Sequence, residues 1–289
     1  MTSTDQVSAK VAELTGRTPA EVRRLGGGDT AAAFGVRLED GGRLFAKHAP
    51  ESMPGAVPAE AASLEWLAEP GAVAVPTVRG HDEQWLVIDH VESRGPSAGA
   101  AEELGRGLAE LHRAGAPAHG AAPPGGPADA WIGLAPMRNE PCQDWATFYA
   151  EHRVRPYLRR ARDAGTLGER DAQVVEQVCA RLDDLVPEEP PARLHGDLWS
   201  GNVHWGERAW LIDPAAHGGH RETDLAMLHL FGCPQLERVL AAYEEVSPLA
   251  SGWRDRVGLH QLVPLLVHAV LFGGGFGSQA VAAARSALA

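Results

Sequence analysis

Between His195 and Pro214 the chain spaces three oxygen-bearing side chains so that only one kind of local fold can use them together. Asp197 and Asn202 fall in the run His195-Gly196-Asp197-Leu198-Trp199-Ser200-Gly201-Asn202, and Asp213 ends the apolar stretch of Leu211-Ile212-Asp213-Pro214. An aspartate beside a glycine commonly does no more than cap a turn. An amide five residues later and a second carboxylate eleven beyond it, across a short apolar strand, are poorly explained by turn chemistry. A loop, a strand and a second loop would bring the three to one point, as a carboxylate beside two hard oxygen donors of the kind that suit magnesium.

The spacing is that of the catalytic loop H-R-D-L-x-x-x-N of kinases, with Gly196 at the arginine position, and Asp213 falls where the aspartate of D-F-G would. Phosphoryl transfer from ATP asks for a carboxylate to orient the attacking hydroxyl and for oxygen ligands to magnesium (Mg2+). Asp197 is read as that catalytic carboxylate, acting more by orientation than by basicity, and Asn202 and Asp213 as the metal ligands. His195 reads as packing the loop, and Asp224 as bracing its backbone from the start of the next helix.

Upstream, Gly26, Gly27 and Gly28 stand between two strands, Glu21 to Leu25 and Ala31 to Leu38. Walker and Rossmann glycine loops open a helix instead, so the triplet reads as a loop covering nucleotide phosphates. A turn at Asp40-Gly41-Gly42 leads to the strand Arg43 to Lys47, making a hairpin. Lys47, one hairpin after the glycine loop, is the candidate for holding the α- and β-phosphates. Its carboxylate partner should come from the helix Pro58 to Leu67. Glu60 shares a face with Leu64 and Leu67, whereas Glu65 points elsewhere, so Glu60 is chosen. A further strand pair ends at Trp85-Leu86-Val87-Ile88-Asp89, and Asp89 and Val91 are expected to contact nucleotide at a hinge.

Beyond Gly95 the periodicity becomes helical. Helices are expected over Ala98 to Arg113, Asp144 to Ala164, Glu169 to Val186, Thr223 to Phe231, Gln235 to Val246, Trp253 to Phe272 and Ser278 to Leu288, with Gly115 to Ala130 as a loop. The fold class is therefore α+β, a protein-kinase-like two-lobe fold: a small β-rich N-lobe (1–91) and a larger, mainly helical C-lobe (92–289). Asp224 follows Asp213 by only 11 residues and no Ala-Pro-Glu intervenes, which leaves no room for a peptide-docking segment and points to a small-molecule kinase.

Composition narrows this further. With 26 Lys and Arg against 38 Asp and Glu, the net charge of −12 and the lack of basic runs argue against a nucleic-acid partner. Three scattered cysteines fit a reducing compartment, and no stretch reads as a leader or a membrane span, so a cytoplasmic protein is expected, as a monomer. Among 13 histidines there is no H-E-x-x-H, and nothing marks His217 and His220 as a zinc pair.

The run Leu194 to Asn202, Ile212-Asp213-Pro214-Ala215, Arg221-Glu222-Thr223-Asp224-Leu225-Ala226-Met227, Leu230-Phe231-Gly232, Trp131-Ile132-Gly133 with Asn139, and His268 with Leu271-Phe272-Gly273 resemble the fructosamine kinases, or ketosamine-3-kinases, over nearly the whole chain. That family lies in the aminoglycoside-phosphotransferase and choline-kinase branch of the kinase-like fold. The resemblance implies ATP-dependent phosphorylation of the 3-hydroxyl of free or protein-bound ketosamines, after which the adduct breaks down and the amine is deglycated. Trp199, two residues after Asp197, is expected to offer its indole face to the sugar, with His268 and Phe272 closing the other side. The chain departs from the family at Asp29-Thr30-Ala31-Ala32, where a Ser-Ile-Asn-like stretch is usual, and near Ala216-His217, where tyrosines are. A related kinase acting on an aminoglycoside, an amino alcohol or another sugar would carry the same catalytic set. A dead nucleotide-binding module would have lost part of it.

Overall fold

The computed structural model describes residues 2–26 and 31–289. Gly27, Gly28, Asp29 and Thr30, where most of the glycine loop was expected, lie outside the described residues. Helix α1 (Thr4–Thr15) starts with a reciprocal capping box between Ser3 and Gln6. Strands β1 (Pro19–Leu25), β2 (Ala32–Leu38) and β3 (Arg43–His48) precede α2 (Ala56–Ala68), and β4 (Val78–His81) and β5 (Trp85–Asp89) complete an antiparallel sheet ordered β1-β2-β3-β5-β4.

Alternation along β3 sorts its residues between the two sheet faces. Leu44 and Ala46 are buried beneath α1 with Val7, Val11, Phe34 and Val87. Phe45 and Lys47 emerge on the opposite face, toward α2 and the second lobe. That face continues into a core shared by both lobes, in which Leu64, Leu67, Leu86 and Ile88 meet Leu104, Leu108, Leu211 and Leu225. This apolar continuity holds the cleft between the lobes in register.

The extended segment after β5 leads to α3 (Ala98–Arg113) and then to a hairpin of β6 (Asp129–Ile132) and β7 (Ala135–Arg138). Helix α4 (Trp145–Thr147), a π-helical stretch (Phe148–Val154) and α5 (Arg155–Asp163) form one run, as the sequence suggested apart from the π turn. Glu169 to Val186 is not one helix, however. It breaks at Ala180 and Arg181 into α6 (Glu169–Cys179) and α7 (Leu182–Leu185).

Strand β8 (Ala192–Leu194), a 3-10 turn (Ser200–Asn202), β9 (Val203–Trp205), β10 (Ala209–Leu211) and β11 (His217–Gly219) frame the catalytic-loop segment. Helices α8 (Glu222–Leu230) and α9 (Leu236–Val246) follow. The expected single helix Trp253 to Phe272 is two, α10 (Trp253–His260) and α11 (Leu262–Phe272). Pro264 has no N–H to give the preceding turn, so it fits only within the first turn of a new helix. Helix α12 (Phe276–Leu288) ends the chain. The fold is the protein-kinase-like two-lobe α+β fold. No helix among the described residues is long and apolar enough to cross a membrane.

Candidate active site

A cleft of about 340 Å³ lies between the lobes, lined among others by Lys47, Glu60, Asp197, Asn202 and Asp213. The facing of β3 and α2 brings Lys47 Nζ to 2.7 Å from Glu60 Oε2. Glu65 is exposed on the other side of α2. Lys47 Nζ also lies 3.1 Å from Asp213 Oδ1, so one ammonium joins the sheet to the loop after β10. Burial opposes charge on Lys47, but the two carboxylates outweigh it and raise its pKa. Burial also acts against Asp213, yet the Lys47 ammonium holds its carboxyl below the usual value. Asp213 sits at φ 50°, the left-handed region that aspartate tolerates better than most residues.

The catalytic-loop segment is held by its backbone. Asp224, buried at the start of α8, accepts the His195 N–H at 2.7 Å and the Gly196 N–H at 2.9 Å. His112 of α3 reaches Asp224 Oδ2 at 3.2 Å through Nε2 and the Tyr243 hydroxyl of α9 at 2.9 Å through Nδ1. Burial would raise the Asp224 carboxyl, but these donors keep it lowered. His195 Nδ1 accepts the Asp197 N–H at 3.3 Å, which leaves Nε2 to donate to the Ile212 carbonyl at 3.0 Å. His195 thus ties the loop to the strand before Asp213. Gly196 replaces the kinase arginine because it adopts φ 82° and a Cβ there would meet the Ala215 carbonyl at 2.1 Å.

Asp197 is half-buried on the cleft floor, where desolvation and then the Asp213 charge push its carboxyl up to about 7. Asn202 Nδ2 donates to the Asp197 carbonyl at 2.8 Å and approaches the Asp197 carboxylate at 3.3 Å. Nδ2 also lies 3.5 Å from the Asp213 carbonyl, and among the described residues no donor is bonded to Asn202 Oδ1. Three carboxylates, Glu60, Asp197 and Asp213, face the single ammonium of Lys47, an excess of negative charge that a divalent cation on oxygen ligands would balance.

The residues expected to meet the substrate also converge. Trp199 is not core: it lines the cleft with 38% of its surface exposed, and its indole lies over Gly201, where a Cβ would meet the ring at 2.2 Å. His268 and Phe272 of α11 line the same cleft, their rings 5.4 Å apart. By contrast, Gly26, Asp89 and Val91 do not line it. The Asp89 carboxylate is held instead by Arg79, with two contacts of 2.7 Å.

Several lining residues have no role expected from sequence. Trp131 of β6 donates to the Pro54 carbonyl at 3.0 Å, laying the hairpin against the start of α2. Asn139 Oδ1 accepts from Arg153 Nη2 at 2.6 Å, and because a guanidinium only donates, the Asn139 Nδ2 must point the other way. His217 and His220 have different neighbours. His217 Nδ1 meets the Ala215 carbonyl, while His220 lies with Glu222 and His260 in a buried group whose carboxylate is held by Arg256 at 2.6 and 2.9 Å.

The chain matches the family model described as fructosamine kinase over residues 3–289. It is 36% identical to the Escherichia coli K12 protein named "Probable ketoamine kinase YniA", across 93% of each chain. It is 32% identical to the chloroplastic protein-ribulosamine 3-kinase of Arabidopsis thaliana, across 84% of this chain and 75% of that one. A solved structure of a candidate fructosamine-3-kinase from Thermobifida fusca superposes with a TM-score of 0.93 at 49% identity, covering 99% of both chains.

Proposed function

The chain belongs to the fructosamine kinase family, and from that premise we propose that it transfers the γ-phosphoryl group of ATP to the 3-hydroxyl of a ketosamine, the adduct of a sugar with an amine. The observation that carries this reading is the convergence of the Lys47–Glu60 pair with Asp197, Asn202 and Asp213 on one cleft.

Lys47, charged and fixed by Glu60, would hold the α- and β-phosphates. Asn202 Oδ1 and the Asp213 carboxylate are the groups that would hold magnesium, which when bound neutralises charge on the phosphate oxygens. Asp197 would accept a hydrogen bond from the sugar hydroxyl, orient it toward the γ-phosphorus and take its proton late in the transfer. Trp199 would carry the apolar face of the sugar, with His268 and Phe272 opposite. Phosphorylation would destabilise the adduct, so that the amine is released deglycated.

An aminoglycoside, an amino alcohol or another sugar would use the same residues. The names of the ketoamine and ribulosamine relatives support the ketosamine. The test is ADP release with a panel of ribulosamine, fructosamine and aminoglycoside acceptors. Turnover of a ketosamine that disappears in Asp197→Asn is expected, whereas turnover of an aminoglycoside alone would overturn the reading.

A further inference from the structure

Among the described residues four large hydrophobic side chains are left exposed: Leu134 at 39%, Trp199 at 38%, Phe231 at 40% and Phe272 at 57%. Isolated exposures of this kind are ordinary, but a gathering around one opening marks a binding surface. All four stand at the mouth of the active-site cleft. Leu134, Trp199 and Phe272 line it, and Phe231 meets the Trp199 ring edge-on at 5.9 Å. They come from the tip of the β6–β7 hairpin, the catalytic loop, the end of α8 and the end of α11, so no single amphipathic element explains their grouping. His268 sits at the centre, with the rings of Phe231, Phe272 and Phe276 at 5.2, 5.4 and 5.0 Å.

Among the described residues that line the cleft the fixed charges are Lys47, Glu60, Asp197 and Asp213, all of the catalytic group. The rim therefore offers ring faces and a leucine where a counter-ion would otherwise receive a cationic amine. With the reacting hydroxyl at Asp197 and the sugar on Trp199, the rest of the molecule, the nitrogen and its substituent, must lead outward over this rim.

We propose that the Leu134–Phe231–Phe272 rim is the subsite for the amine half of the substrate, and that it takes ketosamines whose nitrogen carries an aromatic group. This rests on the ketosamine reading. The secondary ammonium is received by ring faces, and the aromatic substituent covers side chains that otherwise stay in water.

The test compares two adducts of one sugar, with ethylamine and with 2-phenylethylamine. Wild type is expected to show kcat/KM at least about tenfold higher for the phenylethylamine adduct, equivalent to ~1.4 kcal/mol, and Phe231→Ala to bring that ratio below about threefold. Leu134→Ala, on a separate element, gives a second measurement of the same ratio where Phe231→Ala melts early. Equal kcat/KM for the two adducts in wild type, or an unchanged ratio in the folded variants, overturns the proposal. So does a wild-type dimer in sedimentation that Phe231→Ala dissociates, since a second copy would then cover the rim. Wild type that turns over neither adduct fails the ketosamine reading itself, and a preference absent from an otherwise active enzyme fails only the subsite.

Discussion

At the scale of single residues, Asp197 and Asn139 show how the surroundings set the chemistry. A carboxyl raised to about 7 by burial and by its neighbour Asp213 is half protonated near neutrality, and a protonated carboxyl cannot take the proton of a hydroxyl. With magnesium-ATP saturating, kcat/KM for the ketosamine should therefore fall on the acid side. Its inflection should lie below about 7, because a cation at Asp213 removes part of the repulsion. A profile flat from about pH 5 to 8 would take the proton-accepting role away from Asp197. Asn139, which lines the cleft, is fixed from behind: Arg153, buried with no carboxylate partner among the described residues and lying 4.5 Å over the Phe148 ring, captures Oδ1, so that Nδ2 faces away from the guanidinium. Asn139→Asp keeps the shape, gives Arg153 a counter-charge and removes both donors. It should hold or raise the melting temperature while lowering kcat/KM for the sugar by about ten- to a hundredfold, the value of one to two hydrogen bonds. Unchanged kinetics in the folded variant would show that the amide serves only Arg153.

At the scale of elements, the catalytic loop is positioned by three helices acting through one carboxylate. Asp224 of α8 receives two backbone N–H groups of the loop and the His112 ring from α3, itself held by Tyr243 of α9. Asp224→Ala would leave three buried donors without an acceptor, a cost of roughly 3 kcal/mol or more. Thermal melting should show a large loss and the surviving folded fraction a lower kcat. A variant with native stability would mean that β8 and β11 alone hold the loop. Much of this scaffold was legible in the sequence because periodicity and spacing are local: Lys47 on its strand, Glu60 in step with Leu64 and Leu67, and the Asp197, Asn202, Asp213 series. What escaped lacked a local signal or had a conflicting one. The β6–β7 hairpin is only four residues a side, and Pro136 argues against a strand although Gly133, at φ 56°, supplies the turn. The break after Cys179 has no Gly or Pro to announce it. Pro264 was visible, but whether it bends one helix or begins another depends on packing. The grip of Arg153 on Asn139 spans 14 residues through side chains alone, beyond the reach of any periodic pattern.

For the molecule as a whole, the buried titrating groups set opposing pH dependences. His195, His217, His220 and His260 are fully or almost fully buried, and burial pulls all four below the ordinary histidine value, His217 to about 3. Glu222 is held at about 2: burial works to raise it, but the His260 and Arg256 contacts prevail. For each of these groups the unfolded chain binds a proton that the folded one refuses. Stability is therefore complete above the unfolded value, near 6.5 for the histidines, and is lost as pH falls toward the folded values, by about 1.4 kcal/mol per pH unit for each fully displaced proton. Asp197 acts in the other direction. Its folded value near 7 lies above the unfolded 3.8, so its ionisation costs stability above about 7 and the cost fades as pH falls through that range. Asp197→Asn removes this one term and leaves the histidines in place. At about pH 8 the variant should melt above wild type, by ~2–4 °C for each kcal/mol relieved from burying the Asp197 charge and from its repulsion by Asp213. Both proteins should lose melting temperature between about pH 7 and 5, the variant more steeply, because it lacks the compensating gain. The two curves should therefore approach each other as the solution becomes more acid, which calorimetric melts at matched ionic strength can follow. Parallel curves at all pH values would show that Asp197 is not raised by its surroundings, and the acid limb of the activity profile would then need another titrating group.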